Sequence, residues 1–315
     1  MMKFAYPAVA ICLALTLTPA WGAPAWSSPE DDEKDIKISA HHTNPVDGAV
    51  TSGSTGPQSP AISFHGGPVM STPNVYLIWY GNWAQANSSD TAAGKALVTN
   101  FLAGLSGSSH FKINTTYNNV PSGSFIVAGA YNDSYSQGTR LSDSRVQAVV
   151  NAAIAPNKLP KDSNGVYFVL TSSDVSESSG FCSKYCGWHT YGTIQGSNIK
   201  YSFVGNANRC LSSCSAQTIS PNVNAGVDGM ISVLTHELEE TVTDPNLNGW
   251  YDANGAENGD KCAWTFGQPA ASGGPLKTLP GGAAYNLTLN GLNFLVQRNL
   301  QANNSQCYVS LNGAQ

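Results

Sequence analysis

The sequence has 315 residues, of which 41% are apolar and only 11% charged, and a formal net charge of −5. That length suits one domain with a substantial core after short terminal segments are set aside. The mild negative charge, with no cluster of lysine or arginine, argues against nucleic acid or an anionic membrane surface as partner.

Residues 1–22 carry Lys3, the apolar run AVAICLALTL and the small residues Ala20 and Gly22. This is the pattern of a secretory signal peptide. No later run approaches the ~20 apolar residues of a membrane span, so the mature chain is expected to be exported, with no membrane attachment after signal removal. Residues 23–58 are rich in Ser, Pro, Gly, Thr and charge and contain PEDDEKDIK. They read as a disordered leader or propeptide, which leaves 59–315 as the folded domain.

Within that domain NVYLIWYGNW (Asn74 to Trp83) predicts a buried strand, and a helix follows from about Ser89 to Leu105. SGSFIVAGAY (Ser122 to Tyr131) predicts a second strand. Leu141 to Ala155 predicts a second helix, capped by Ser142 or Asp143. GVYFVLTSSDV (Gly165 to Val175) is a third strand, and shorter ones are expected near Tyr191 to Ile194 and Lys200 to Gly205. Strands alternating with helices imply an α/β domain whose mainly parallel mixed sheet is flanked by helices.

The helix that follows is the most informative stretch. Val227, Ile231, Leu234, Leu238 and Val242 form one apolar stripe, while His236 and Glu240 lie together on another side, four residues apart. With Glu237 the segment reads H-E-L-E-E, the zincin pattern H-E-x-x-H with a carboxylate in place of the second histidine. A carboxylate is a competent zinc ligand. The strand and helix order ending in this helix also resembles the N-terminal half of zincin peptidases. Three glutamates beside a histidine repel one another unless something positive sits among them.

If His236 and Glu240 bind zinc, a third ligand is needed, and Glu257, Asp260 and Asp244 are the candidates. Asp244 continues the i, i+4, i+8 row, but Pro245 displaces it from helical geometry. Glu237 is then the general base of a zinc hydrolase acting on peptides. A second metal reading takes Asp252, Asn254, Glu257 and Asp260 as oxygen ligands for calcium, though without EF-hand spacing. His65 and His189 receive no role, and no Gly-x-Ser-x-Gly elbow appears.

Cys12 leaves with the signal peptide, so six cysteines remain: Cys182, Cys186, Cys210, Cys214, Cys262 and Cys307. An even number in an exported chain implies disulfides. Because neighbours close loops most easily, the expected pairs are Cys182 with Cys186, Cys210 with Cys214, and Cys262 with Cys307. Five Asn-x-Ser/Thr sequons stand at Asn87, Asn114, Asn132, Asn286 and Asn303.

Several blocks together resemble the EXORDIUM-like, or phosphate-induced, family of secreted proteins: HGGPVMSTPNVYLIWYGNW from His65, GFCSKYCGWHTYG from Gly180 and YSFVGNANRCLSSC from Tyr201, with VDGMISVL and TVTDPNLNGWY downstream. The resemblance implies an extracellular or cell-wall location and a role in growth or nutrient response, and supplies no biochemical activity. Plant members typically lack the His-Glu pair found here. A non-catalytic protein that binds wall polymer or a receptor is therefore the alternative to a peptide hydrolase, with Trp79-Tyr80, Trp83 and Trp250-Tyr251 as candidate carbohydrate contacts.

Overall fold

The computed structural model describes residues 1–2, 36–44, 57–120, 122–155, 158–267 and 276–313. The proposed signal peptide and cleavage site lie almost wholly outside them. From Ile36 onward the chain forms one compact unit.

A six-stranded mixed sheet is its centre. The strands are β1 (Ser39–His42), β2 (Asn74–Tyr80), β3 (Ile126–Asp133), β4 (Gly165–Thr171), β5 (Tyr185–Ile194) and β6 (Ser197–Gly205). Their spatial order is β1-β5-β6-β4-β2-β3. Strands β6, β4, β2 and β3 run parallel to one another, whereas β1 and β6 both pair antiparallel with β5. Both β2 and β4 are buried along nearly their whole length, as expected for parallel strands covered on both faces. Edge strand β3 alternates exposed and partly buried residues.

Among the described residues the α-helices are α1 (Ala92–Leu105), α2 (Asp143–Ile154), the single turn α3 (Leu211–Cys214) and α4 (Ala225–Thr243). The Thr91 side chain caps α1 by accepting from the Gly94 N–H, and Ser142 caps α2 by accepting from Arg145. Both shield N–H groups that have no partner inside the helix. Helix α2 packs on β3, β4 and β6, and α4 lies against β5 and β6.

The structure departs from the sequence reading of the fold in the leader and in the disulfides. Residues 36–44, placed in a disordered leader, include β1, hydrogen-bonded along β5. The disulfides join Cys182 to Cys210 and Cys186 to Cys214, in place of the near-neighbour pairs, and Cys262 to Cys307 as expected. Cys182 lies just before β5 and Cys186 within it, while Cys210 caps α3 and Cys214 ends it, so the two bonds run side by side between these segments. Helix α4, read from its one apolar stripe, is buried on all sides from Gly226 to Thr243. Periodicity reports where apolar residues lie and says nothing of distant loops that cover the other side.

Trp79, Tyr80 and Trp83 belong to the core, so they offer no platform to a polysaccharide. Of the sequons, Asn114 is fully buried and accepts from the Asn258 and Asn299 side chains, and Asn286 donates to the Phe266 and Val296 carbonyls. Neither side-chain amide is open to a glycan in the folded protein. Among the described residues no helix is long and apolar enough to cross a membrane.

Candidate metal centre

Helix α4 delivers its acidic residues in three directions. Asn224 caps its first turn by accepting from Val227, and Asp244 ends it. The hydroxyls of Thr235 and Thr241 donate back to the carbonyls of Ile231 and Glu237, so these polar side chains are satisfied within the buried helix. Glu239 turns toward the 3₁₀ turn Phe111–Thr116, where its carboxylate lies 3.2 Å from His110 Nε2. Glu237 points at β5. Glu240 sits between two histidines.

Glu240 forms the middle of the cluster. Its Oε1 is 2.9 Å from His236 Nε2 and its Oε2 is 3.7 Å from His189 Nε2. His189 comes from β5, and its Nε2 is also 3.0 Å from Glu257 Oε2. Asp260 Oδ1 lies 3.6 Å from His236 Nε2. Ligand atoms about 2 Å from zinc in a tetrahedron stand roughly 3.3 Å from one another, and these separations scatter around that value. His189, His236, Glu237, Glu240 and Glu257 are all at least 98% buried.

Two glycines allow this crowding. A Cβ on Gly187 would meet Val233 at 2.7 Å and Glu237 Oε1 at 3.1 Å, so the missing side chain lets α4 approach β5. A Cβ on Gly259 would lie 2.8 Å from His236 Cε1 and 3.0 Å from Glu240 Oε1. The acidic loop thus reaches the helix through bare backbone. The Asp260 N–H donates to Glu240 Oε1 at 3.0 Å, and the nearby Cys262–Cys307 bond fastens the loop.

The electrostatics show what the cluster lacks. Burial alone would discharge His189, but Glu257 and then Glu240 hold its pKa up to about 10. Burial also raises the pKa of Glu237, with Glu240 adding to the effect, and raises that of Glu240, where Asp260 adds. Both carboxyls are thus pushed toward their protonated forms in the absence of a cation. Among the described residues, neither oxygen of Glu237 has a hydrogen-bond partner, nor does Glu240 Oε2, Glu257 Oε1, His189 Nδ1 or either ring nitrogen of His236. Buried polar atoms left this way cost about 1–3 kcal/mol each, and a divalent cation would satisfy several at once.

The sequence candidates fall into two sets. His236 and Asp260 fall in one cation-sized group with His41, and Glu240 and Glu257 fall in another with His189; the 2.9 Å between His236 and Glu240 joins the two. Asp244 does not, because its Oδ1 accepts the N–H groups of Asn248 and Gly249 to close the turn beyond the helix. The loop reading for calcium does not assemble either. Asp252 is ion-paired with Lys261, and it belongs to no cation-sized group among the described residues.

Two histidines add to the set found in the sequence. His189 shares a strand face with Gly187, two residues away, and that period-2 relation to a residue against α4 is visible only once strand and helix are paired. His41 comes from β1, its ring centroid 3.9 Å from that of His236. It also stacks on Trp264, with centroids 5.0 Å apart. His65, left without a role, lies on the surface against Tyr251.

Residues 62–310 match the conserved region of phosphate-induced protein 1. The chain belongs to this family. It is 32% identical over 277 residues to the protein EXORDIUM-like 5 of Arabidopsis thaliana, covering 75% of this chain and 74% of that protein. EXORDIUM-like 3 of the same plant is 29% identical over 274 residues, covering 75% and 79%. The tobacco protein PHOSPHATE-INDUCED 1 is 25% identical over 294 residues, covering 80% and 88%. No solved structure matches.

Proposed function

We propose that this chain is an exported zinc hydrolase acting on peptides, with His236, His189 and Glu240 as the metal ligands. The observation that carries the reading is Glu240, buried with its two oxygens directed at two separate imidazoles, those of His236 and His189. Two histidines and one glutamate form a ligand set of known catalytic zinc sites, which leaves a fourth position for water or substrate. When bound there, zinc makes water nucleophilic near neutral pH and polarises a carbonyl.

The protein's own groups supply the rest. Glu237 follows His236 directly, and its carboxylate has no hydrogen-bond partner. It is the base that takes the proton of the attacking water and returns it to the leaving amine. Glu257 lies 3.0 Å from the same His189 Nε2 that faces Glu240, which makes it a further ligand for the cation, and Asp260 stands beside His236. The disulfides and the absence of a membrane-spanning helix among the described residues fit an extracellular protein.

Metal analysis of protein prepared without chelator should find one zinc per chain. Either His236→Ala or His189→Ala abolishes stoichiometric binding, while Glu237→Gln retains the metal and loses peptide hydrolysis. Wild-type protein that takes up no zinc ends the reading. The near-complete burial of the cluster favours one second reading, a structural metal in a non-catalytic binding protein. In that case Glu237→Gln binds zinc and is indistinguishable from wild type in every assay.

A further inference from the structure

Strand β1 lies across the candidate centre, and it enters from outside the region matched by the family, which begins at residue 62. Without β1, the edge of the sheet would be β5, the strand that carries His189. An exposed strand edge is a template for another extended chain. We infer that the β5 edge is a binding site for extended polypeptides running antiparallel to it, and that residues 37–44 occupy this site as an internal strap. The inference rests on the hydrolase reading for the identity of the centre, and it adds the substrate's mode of binding and its regulation.

Most of the strap's contacts use its backbone. Ser39, Ala40 and His41 stand opposite His189, Trp188 and Gly187 in the ladder, and the register shifts after His41. The Lys37 carbonyl accepts from the Thr190 hydroxyl, and the His42 carbonyl accepts from Trp264 Nε1 at 2.8 Å. The N–H groups of Thr43 and Asn44 donate to the carbonyls of Lys184 and Ser213 at 3.1 and 2.7 Å. Contacts of this kind recognise any extended polypeptide and leave specificity to alternate side chains.

One side chain of the strap points into the centre. His41 lies opposite Gly187 and is fully buried against His236 and Trp264. Its Nδ1 has no hydrogen-bond partner, and together with His236 and Asp260 it forms a cation-sized group. His41 therefore stands where a substrate residue would approach the metal. A cavity of about 200 Å³ is lined by Lys37, Ile38 and Ser39 of the strap together with Asp244 and Glu257. The strap thus walls the route to the cluster.

The test inserts a site-specific protease sequence after Gly53, in the full chain, and cuts it after folding. A fluorescent peptide copying residues 36–44 is the probe. It should bind the cut protein saturably as it exchanges with the nicked strap, and bind the uncut protein at least tenfold more weakly. Replacing the histidine corresponding to His41 by alanine in the peptide, or N-methylating its central backbone amides, should each weaken binding at least tenfold without altering the protein.

Equal binding to cut and uncut protein, or no binding to either, overturns the inference. Zinc content and peptide hydrolysis are read on the same samples. Zinc with equal hydrolysis before and after cutting sinks the strap and spares the hydrolase. Strand exchange in a protein that takes up no zinc does the reverse.

Discussion

Gly259 is a position where a single methyl group would reach the centre. An added Cβ would collide with the ring of His236 and crowd Glu240, so Gly259→Ala should lower zinc affinity at least tenfold in a chelator competition, equivalent to about 1.4 kcal/mol. Gly281→Ala, where an added Cβ meets nothing within 4 Å, serves as the control and should leave affinity unchanged. His110 makes a separate prediction on the far side of α4. Burial alone would lower its pKa, but Glu239, 3.2 Å away, and the Val309 carbonyl raise it above the ordinary 6.5. A raised folded pKa contributes stability that is complete below the unfolded value and is lost as pH rises through the folded one. Thermal melts should therefore show His110→Gln costing more at about pH 5.5 than at about pH 9. A cost that does not change with pH would mean that only the neutral ring's packing matters.

At the level of elements, the acidic loop and the helix are separate pieces held together by a cross-link. The Cys262–Cys307 bond spans 45 residues and ties the Glu257–Asp260 segment to the C-terminal ribbon Asn299–Gln301 and Gln306–Tyr308. Closing a loop of that length in the unfolded chain is worth about 4 kcal/mol in the chain-entropy model. The Cys262→Ser/Cys307→Ser double variant should melt at least several degrees lower and bind zinc more weakly, as followed by calorimetry with and without metal. The elements themselves were largely legible. The strands at Asn74 and Gly165 begin where pattern placed them, and the second helix begins at Asp143 with the expected Ser142 cap, two residues after the expected Leu141. What pattern could not supply was tertiary cover. Glu237, Glu239 and Glu240 read as a polar helix face because no rule of periodicity foretells that β5, the 110–116 turn and the 257–260 loop enclose them.

For the whole molecule, half of the centre lay in one contiguous motif and half did not. His236, Glu237 and Glu240 were visible by spacing, and Glu257 and Asp260 by their tether to Cys262. His189 and His41 reach the same point only through sheet pairing, 47 and 195 residues before His236 in the chain. Binding of zinc to the folded state alone should raise stability by about 2.7 kcal/mol at a free concentration 100 times Kd, or roughly 5–10 °C in Tm for a domain of this size. A melt that does not respond to zinc in the wild type would contradict the metal-bound state. The two bonds Cys182–Cys210 and Cys186–Cys214 have a further consequence for how the chain matures. Each spans 28 residues, whereas the competing pairs Cys182–Cys186 and Cys210–Cys214 span four. By loop-closure entropy the short pairs are favoured in the reduced chain by roughly 1.7 kcal/mol per bond, close to twentyfold. Oxidation faster than folding thus traps a scrambled isomer, and yield from a reduced start should depend on a thiol reshuffling catalyst more than on the oxidant.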